Sequence, residues 1–124
     1  MQNKLLIASK VKKTIQYLDK TLINCPNREY ILKNNIIKTS YNILELTYKA
    51  NIHKNITYMK DIIVQINMLE YYIKISLDKK IISYKKYENI GNYLLEINKM
   101  IKSWIYGEKS RQSIQWNNWF KKNK

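Results

Sequence analysis

Two glycines and a single proline, Pro26, in 124 residues leave almost no turn-forming material. A β-sandwich or barrel needs a turn about every eight to twelve residues, so an all-β fold is excluded in practice. The rest of the chain carries apolar residues at steps of three and four, the period of an α-helix. A chain of this length can bury one core without disulfides or metal. The expected fold is therefore all-α.

Four helical segments are expected. The first covers residues 8–24, where Val11, Ile15, Leu18 and Leu22 make one face and Ser9 is a candidate N-cap. Cys25-Pro26-Asn27 breaks it, because proline disfavours the α conformation in the residue before it. The second covers 27–51, with Ile37, Tyr41, Leu44 and Tyr48 as its stripe, widened by Ile36, Ile43 and Leu46. Asn51 to His53 is the expected turn. The third covers 54–77 and is apolar nearly all round, through Ile56, Met59, Ile63, Val64, Ile66, Met68, Tyr71 and Ile75. No helix of a four-helix bundle is fully central, so such a helix points to a subunit interface. The fourth covers 83–106, capped by Ser83, with Tyr87, Ile90, Leu94, Ile97, Ile101 and Trp104 as its stripe. Short connections favour antiparallel neighbours and an up-down-up-down four-helix bundle. Gly107 is the expected helix stop. That divides the chain into a bundle, 1–107, and a basic aromatic tail, 108–124.

Charge and composition narrow the function. Lys and Arg total 23 against 9 Asp and Glu, a net charge of +14. AT-rich coding DNA accounts for lysine over arginine but not for the shortage of acids. The natural partner of such an excess is a polyanion, most often nucleic acid. One cysteine, Cys25, excludes a disulfide framework and a thiolate zinc site. One histidine, His53, excludes multi-histidine metal sites and most histidine relays. No Gly-rich phosphate loop or nucleophile elbow is present. We therefore expect neither an enzyme nor a cofactor. No secretory signal or apolar run of about 18 residues is visible, so a soluble, cytoplasmic chain with no membrane partner is expected.

The candidate nucleic-acid-binding residues form three groups. Lys10, Lys12 and Lys13 lie at the expected start of the first helix. Lys79, Lys80, Lys85 and Lys86 surround the start of the fourth, and Lys99, Lys102, Lys109 and Arg111 lie near its end. Such clusters suit phosphate contacts, which give salt-dependent affinity without base specificity. A solvated lysine face is the bland alternative. Trp116, Trp119 and Phe120 stand out in a polar tail and are the candidate partner-binding residues. Docking on a protein is the leading reading, ahead of packing back on the bundle and of stacking on bases.

The chain resembles the accessory variability determinant (Avd) proteins of diversity-generating retroelements, within a wider bacterial four-helix-bundle group. One part of the resemblance is the junction Cys25-Pro26-Asn27-Arg28-Glu29-Tyr30-Ile31-Leu32, leading into a helix that ends Tyr48-Lys49-Ala50-Asn51. Another is Met68-Leu69-Glu70-Tyr71-Tyr72-Ile73-Lys74-Ile75, followed by Ile81-Ile82-Ser83-Tyr84-Lys85-Lys86-Tyr87. The most specific part is the closing stretch from Tyr93 to Ile105, through the order of Glu96, Lys99 and Trp104. Asn98 stands where glycine is common, and Lys102-Ser103 where a glycine pair is common. The resemblance implies a homopentamer of four-helix protomers forming a basic barrel. It also implies binding to a reverse transcriptase and to template RNA or an RNA/DNA hybrid, in support of mutagenic cDNA synthesis. The alternative is a protein-interaction module of the rRNA intervening-sequence type, with the same fold and no reverse-transcriptase partner. A small nucleic-acid-binding regulator acting alone is a third reading.

Overall fold

The structure, a computed structural model, describes residues 2–123, with side chains from residue 6. It contains four helices: α1 (Gln2–Thr21), α2 (Tyr30–His53), α3 (Ile56–Asp78) and α4 (Tyr84–Lys122). A single 3-10 turn, Asn27–Glu29, leads into α2. Consecutive helices are antiparallel neighbours, and α1 also packs on α4, closing the ring. Neither diagonal pair approaches among the described residues. This is the expected up-down-up-down bundle.

Spacing in α1 and α4 forecasts the core directly. Val11, Ile15, Leu18 and Leu22 are buried, as are Ile90, Leu94, Ile97 and Ile101. The same steps run backward through Ile7, so α1 starts at Gln2 and not near residue 8. Ser9 is therefore an exposed mid-helix residue and no cap. Ser83 does cap α4: its Oγ accepts the Lys86 N–H at 3.2 Å.

In α2 the expected stripe is displaced. The buried face is Ile36, Thr39, Ser40, Ile43, Thr47 and Ala50. Ile37 and Leu44 are half-buried, and Tyr41 and Tyr48 are exposed. The Ser40 and Thr47 hydroxyls bury without penalty because each donates to a carbonyl of its own helix. Thr47 Oγ1 bonds the Ile43 carbonyl at 2.7 Å and Ser40 Oγ bonds that of Ile37 at 2.7 Å. Ser76 on α3 does the same with the carbonyl of Tyr72 at 3.0 Å.

Both tight inter-helix turns place a lysine in the left-handed region normally reserved for glycine. Lys80 has φ 62°, with its N–H on the Leu77 carbonyl and the N–H of Ile81 on that of Ser76, a Schellman closure. Lys54 has φ 51°, and its N–H bonds the Ala50 carbonyl at 2.8 Å. The helix thus runs through the expected turn at Asn51 to His53, and Asn55 caps α3 by accepting the Thr57 N–H at 2.8 Å. A Cβ in this conformation costs about 1–2 kcal/mol. Lys54→Gly is expected to raise stability by roughly 1 kcal/mol in urea unfolding; a lower midpoint would contradict the turn geometry.

Gly107 does not end α4. The helix continues unbroken to Lys122, and Gly107 keeps a negative φ with nothing within 4 Å of an added Cβ. A glycine inside a helix costs only about 1 kcal/mol. Good helix formers follow it, and Arg111 pairs with Glu108 across the next turn.

Candidate nucleic-acid interface

The α1–α4 seam is built on polar pairs. Lys10 Nζ meets Glu96 Oε1 at 2.8 Å. One helical span further, Asn89 Nδ2 donates to the Tyr17 hydroxyl at 3.0 Å, and the Tyr17 and Tyr93 rings tilt together at 5.5 Å. Tyr17, Asn89, Tyr93 and Glu96 line an open groove of about 570 Å³ with Asn92, Leu95 and Lys99. Its chemistry follows from the sequence: Lys85, Asn89, Asn92, Glu96 and Lys99 step by three and four on the face of α4 away from its core stripe.

The structure separates the sequence clusters. Lys10 and Lys12 leave α1 on opposite sides: Lys10 faces α4, while Lys12 lies 5.8 Å from the Tyr48 ring on α2. With α1 beginning at Gln2, Lys10, Lys12 and Lys13 sit in the body of the helix and not at its start. Lys79, Lys80, Lys85 and Lys86 occupy the end of the bundle where α3 turns into α4. Lys79 is held there by Glu29, at 3.0 and 3.2 Å. Lys99, Lys102 and Lys109 follow one another along α4 and are exposed. Among the described residues Lys13, Lys80, Lys85, Lys86, Lys99, Lys102 and Lys109 form no ion pair, so their charge is available to a phosphate backbone. Arg111 is different. Its guanidinium donates to the buried Glu108 carboxylate, and that hydrogen bond raises its pKa above the ordinary arginine value.

Past the bundle, α4 projects as a free helix. Every residue from 109 to 123 is exposed, so the tail aromatics do not pack back on the bundle. They pack on one another. Trp116 and Trp119 stack with centroids 5.2 Å apart and planes 13° apart, and Phe120 meets both edge-on at 5.8 and 6.2 Å. The three rings remain 58%, 54% and 53% exposed.

A second exposed apolar feature lies on α3. Its core face is Met59, Ile62, Ile66, Leu69 and Ile73. Val64, Met68 and Tyr71 are exposed, and together with half-buried Ile75 they step by four, three and four on the opposite side. The all-round apolarity of this segment is thus two stripes: one fills the core, and the other faces outward and stays largely uncovered among the described residues.

No group of His, Cys, Asp and Glu among the described residues is arranged to hold a metal ion. No helix among them is long and apolar enough to cross a membrane.

The comparisons agree with this architecture. Among solved structures, the chain is similar to a crystallised protein of unknown function from the S23 ribosomal protein family of Bacteroides thetaiotaomicron. The two share 20% identity and superpose with a TM-score of 0.74, over 84% of this chain and 98% of that one. This likeness establishes the fold. No curated protein matches the chain. The family described as bAvd-like matches residues 5–107, which takes in all of the bundle that carries the resemblance and leaves the aromatic extension outside. That match spans far more than half of the 124 residues, and the chain belongs to the bAvd-like family.

Proposed function

We propose that this chain is a non-catalytic accessory subunit of a diversity-generating retroelement. It assembles with copies of itself into a basic barrel and binds the reverse transcriptase and the template RNA, or its RNA/DNA hybrid. The observation that carries the reading is the bAvd-like match over residues 5–107. Two features support it. The exposed, unpaired lysines of α4 and of the α3–α4 turn suit a phosphate backbone in a chain of net charge +14. The outward stripe of α3 offers the apolar surface that protomers need to associate.

The direct test is a tagged pull-down from the native host in about 0.3 M salt, where loose phosphate contacts are strongly weakened. A reverse transcriptase eluting with one enriched structured RNA is the expected result. Self-association with neither polymerase nor RNA overturns the reading. On the RNA side, Lys99→Glu/Lys102→Glu should weaken binding. The log–log salt slope should fall by about 1.4–1.8, the value for two lost phosphate contacts. Unchanged affinity and slope in a filter-binding titration would sink the assignment of these two lysines.

A further inference from the structure

The helical extension of α4 lies outside the family match, and neither the bundle core nor the lysine face explains its three exposed rings. We propose that it is an arm that grips unpaired RNA, stacking bases on the outer faces of Trp116 and Trp119. The proposal rests on the RNA-binding reading above and extends it to a surface that reading does not need.

Sequence alone favours a protein as the occupant; three features of the structure favour a single-stranded nucleic acid. The first is charge. From 109 to 123 the extension carries Lys109, Arg111, Lys121 and Lys122 and no acidic residue, so it selects a polyanion. Lysines stand at both ends of the aromatic cluster, where a strand crossing the rings brings its phosphates.

The second is the form of the apolar patch. A protein hot spot is ringed by contacts that exclude water. Here the neighbours one turn away are Gln112, Ser113, Gln115, Asn117, Lys122 and Asn123, all exposed and all polar. Three rings in a polar field are too small a patch for a membrane surface or an apolar groove, whose hold scales with buried area. The same rings are the right size for nucleobases, each of which has a flat face.

The third is ring geometry. Trp116 and Trp119 are nearly parallel and already in contact, so no base enters between them. Their outer faces are left open, which makes the pair a platform that a base stack can prolong. The arm reaches about 22 Å past Gly107 at 1.5 Å per residue, clear of the bundle. A strand can therefore be held there while the bundle lysines hold a duplex elsewhere.

The test uses the full chain. Tryptophan emission is followed while an unstructured single-stranded RNA and a duplex RNA of equal length are titrated in turn. The single strand should quench the emission. Trp116→Ala/Trp119→Ala should abolish that quench and weaken single-strand binding at least about tenfold, leaving duplex binding unchanged. Trp116→Phe/Trp119→Phe keeps the flat faces and should retain most of the affinity. Neither variant touches the bundle, and helicity by circular dichroism confirms that the fold is intact. If the double alanine variant binds the single strand as tightly as the parent, the arm is not a base platform and its rings belong to a protein partner. Equal loss on both RNAs also overturns the proposal, because stacking requires unpaired bases. If the parent binds neither RNA, the RNA-binding reading falls and the arm with it.

Discussion

Ile66→Ala is expected to cost about 2–5 kcal/mol of stability, while Val64→Ala, two residues away, costs less than about 0.5 kcal/mol in the separated protomer. Both residues are β-branched aliphatics on α3, and intrinsic helix propensity treats the two substitutions almost alike. Their surroundings differ. Ile66 is 0% exposed and lies in the cluster that joins Met59, Ile62 and Leu69 to the cores of the other helices. Removing its outer atoms leaves a cavity that four packed helices can only partly close. Val64 is 55% exposed and faces away. Urea unfolding at low protein concentration, where copies are apart, separates the two cases. Similar losses at both positions would mean that α3 does not have the inner and outer stripes described above.

How much of this was legible in the sequence depends on residue type. In α1 and α4 the core is wholly aliphatic, and spacing alone places it: Val11 to Leu22 and Ile90 to Ile101 are buried as their steps require. In α2 four of the six core-face residues are hydroxyl-bearing or small. Hydrophobic spacing then selects the wrong stripe, because Thr39, Ser40, Thr47 and Ala50 carry little or no apolar weight. Yet Ile36, Ser40, Ile43, Thr47 and Ala50 step by four, three, four and three. The signal was present as periodicity and absent as hydropathy, since the carbonyls of Ile37 and Ile43 satisfy the Ser40 and Thr47 hydroxyls from within the helix. Tyr41 and Tyr48, large and apolar in bulk, shift the hydrophobic stripe one position from the buried face.

The basic residues show a different limit. Proximity in sequence groups Lys10 with Lys12, but adjacent and next-adjacent residues leave a helix in different directions. One of the pair meets α4 and the other α2. Which lysines are neutralised was also hidden, because Lys79 meets Glu29 from 50 residues away. A glycine after a periodic segment usually ends a helix, and Gly107 carries that signal. The pairs and helix formers that follow it carry the helix on, and this is what lifts Trp116, Trp119 and Phe120 off the bundle.

Val64→Glu/Met68→Glu is expected to break self-association while leaving each protomer folded. In an assembly that covers the outer stripe of α3, two carboxylates are stripped of water, and of the neighbours one turn away on α3 only Lys60 is a cation. Each such burial costs several kcal/mol, so association weakens by at least about a thousandfold. Neither residue contributes to the core, so helicity and the unfolding midpoint of the dilute protomer stay near those of the parent. Sedimentation velocity across a concentration series reads the change directly. Ile52→Glu serves as the control, since Ile52 is fully as exposed but lies at the end of α2, away from the stripe. Electrostatics makes the sign of the result decisive. Two added acids lower the protomer charge from +14 to +12, which relieves repulsion between copies. If charge alone governed assembly, the variant would associate more tightly than the parent. Dissociation therefore traces to the loss of an apolar contact at Val64 and Met68, and undiminished assembly places the protomer contact on some other face of the bundle.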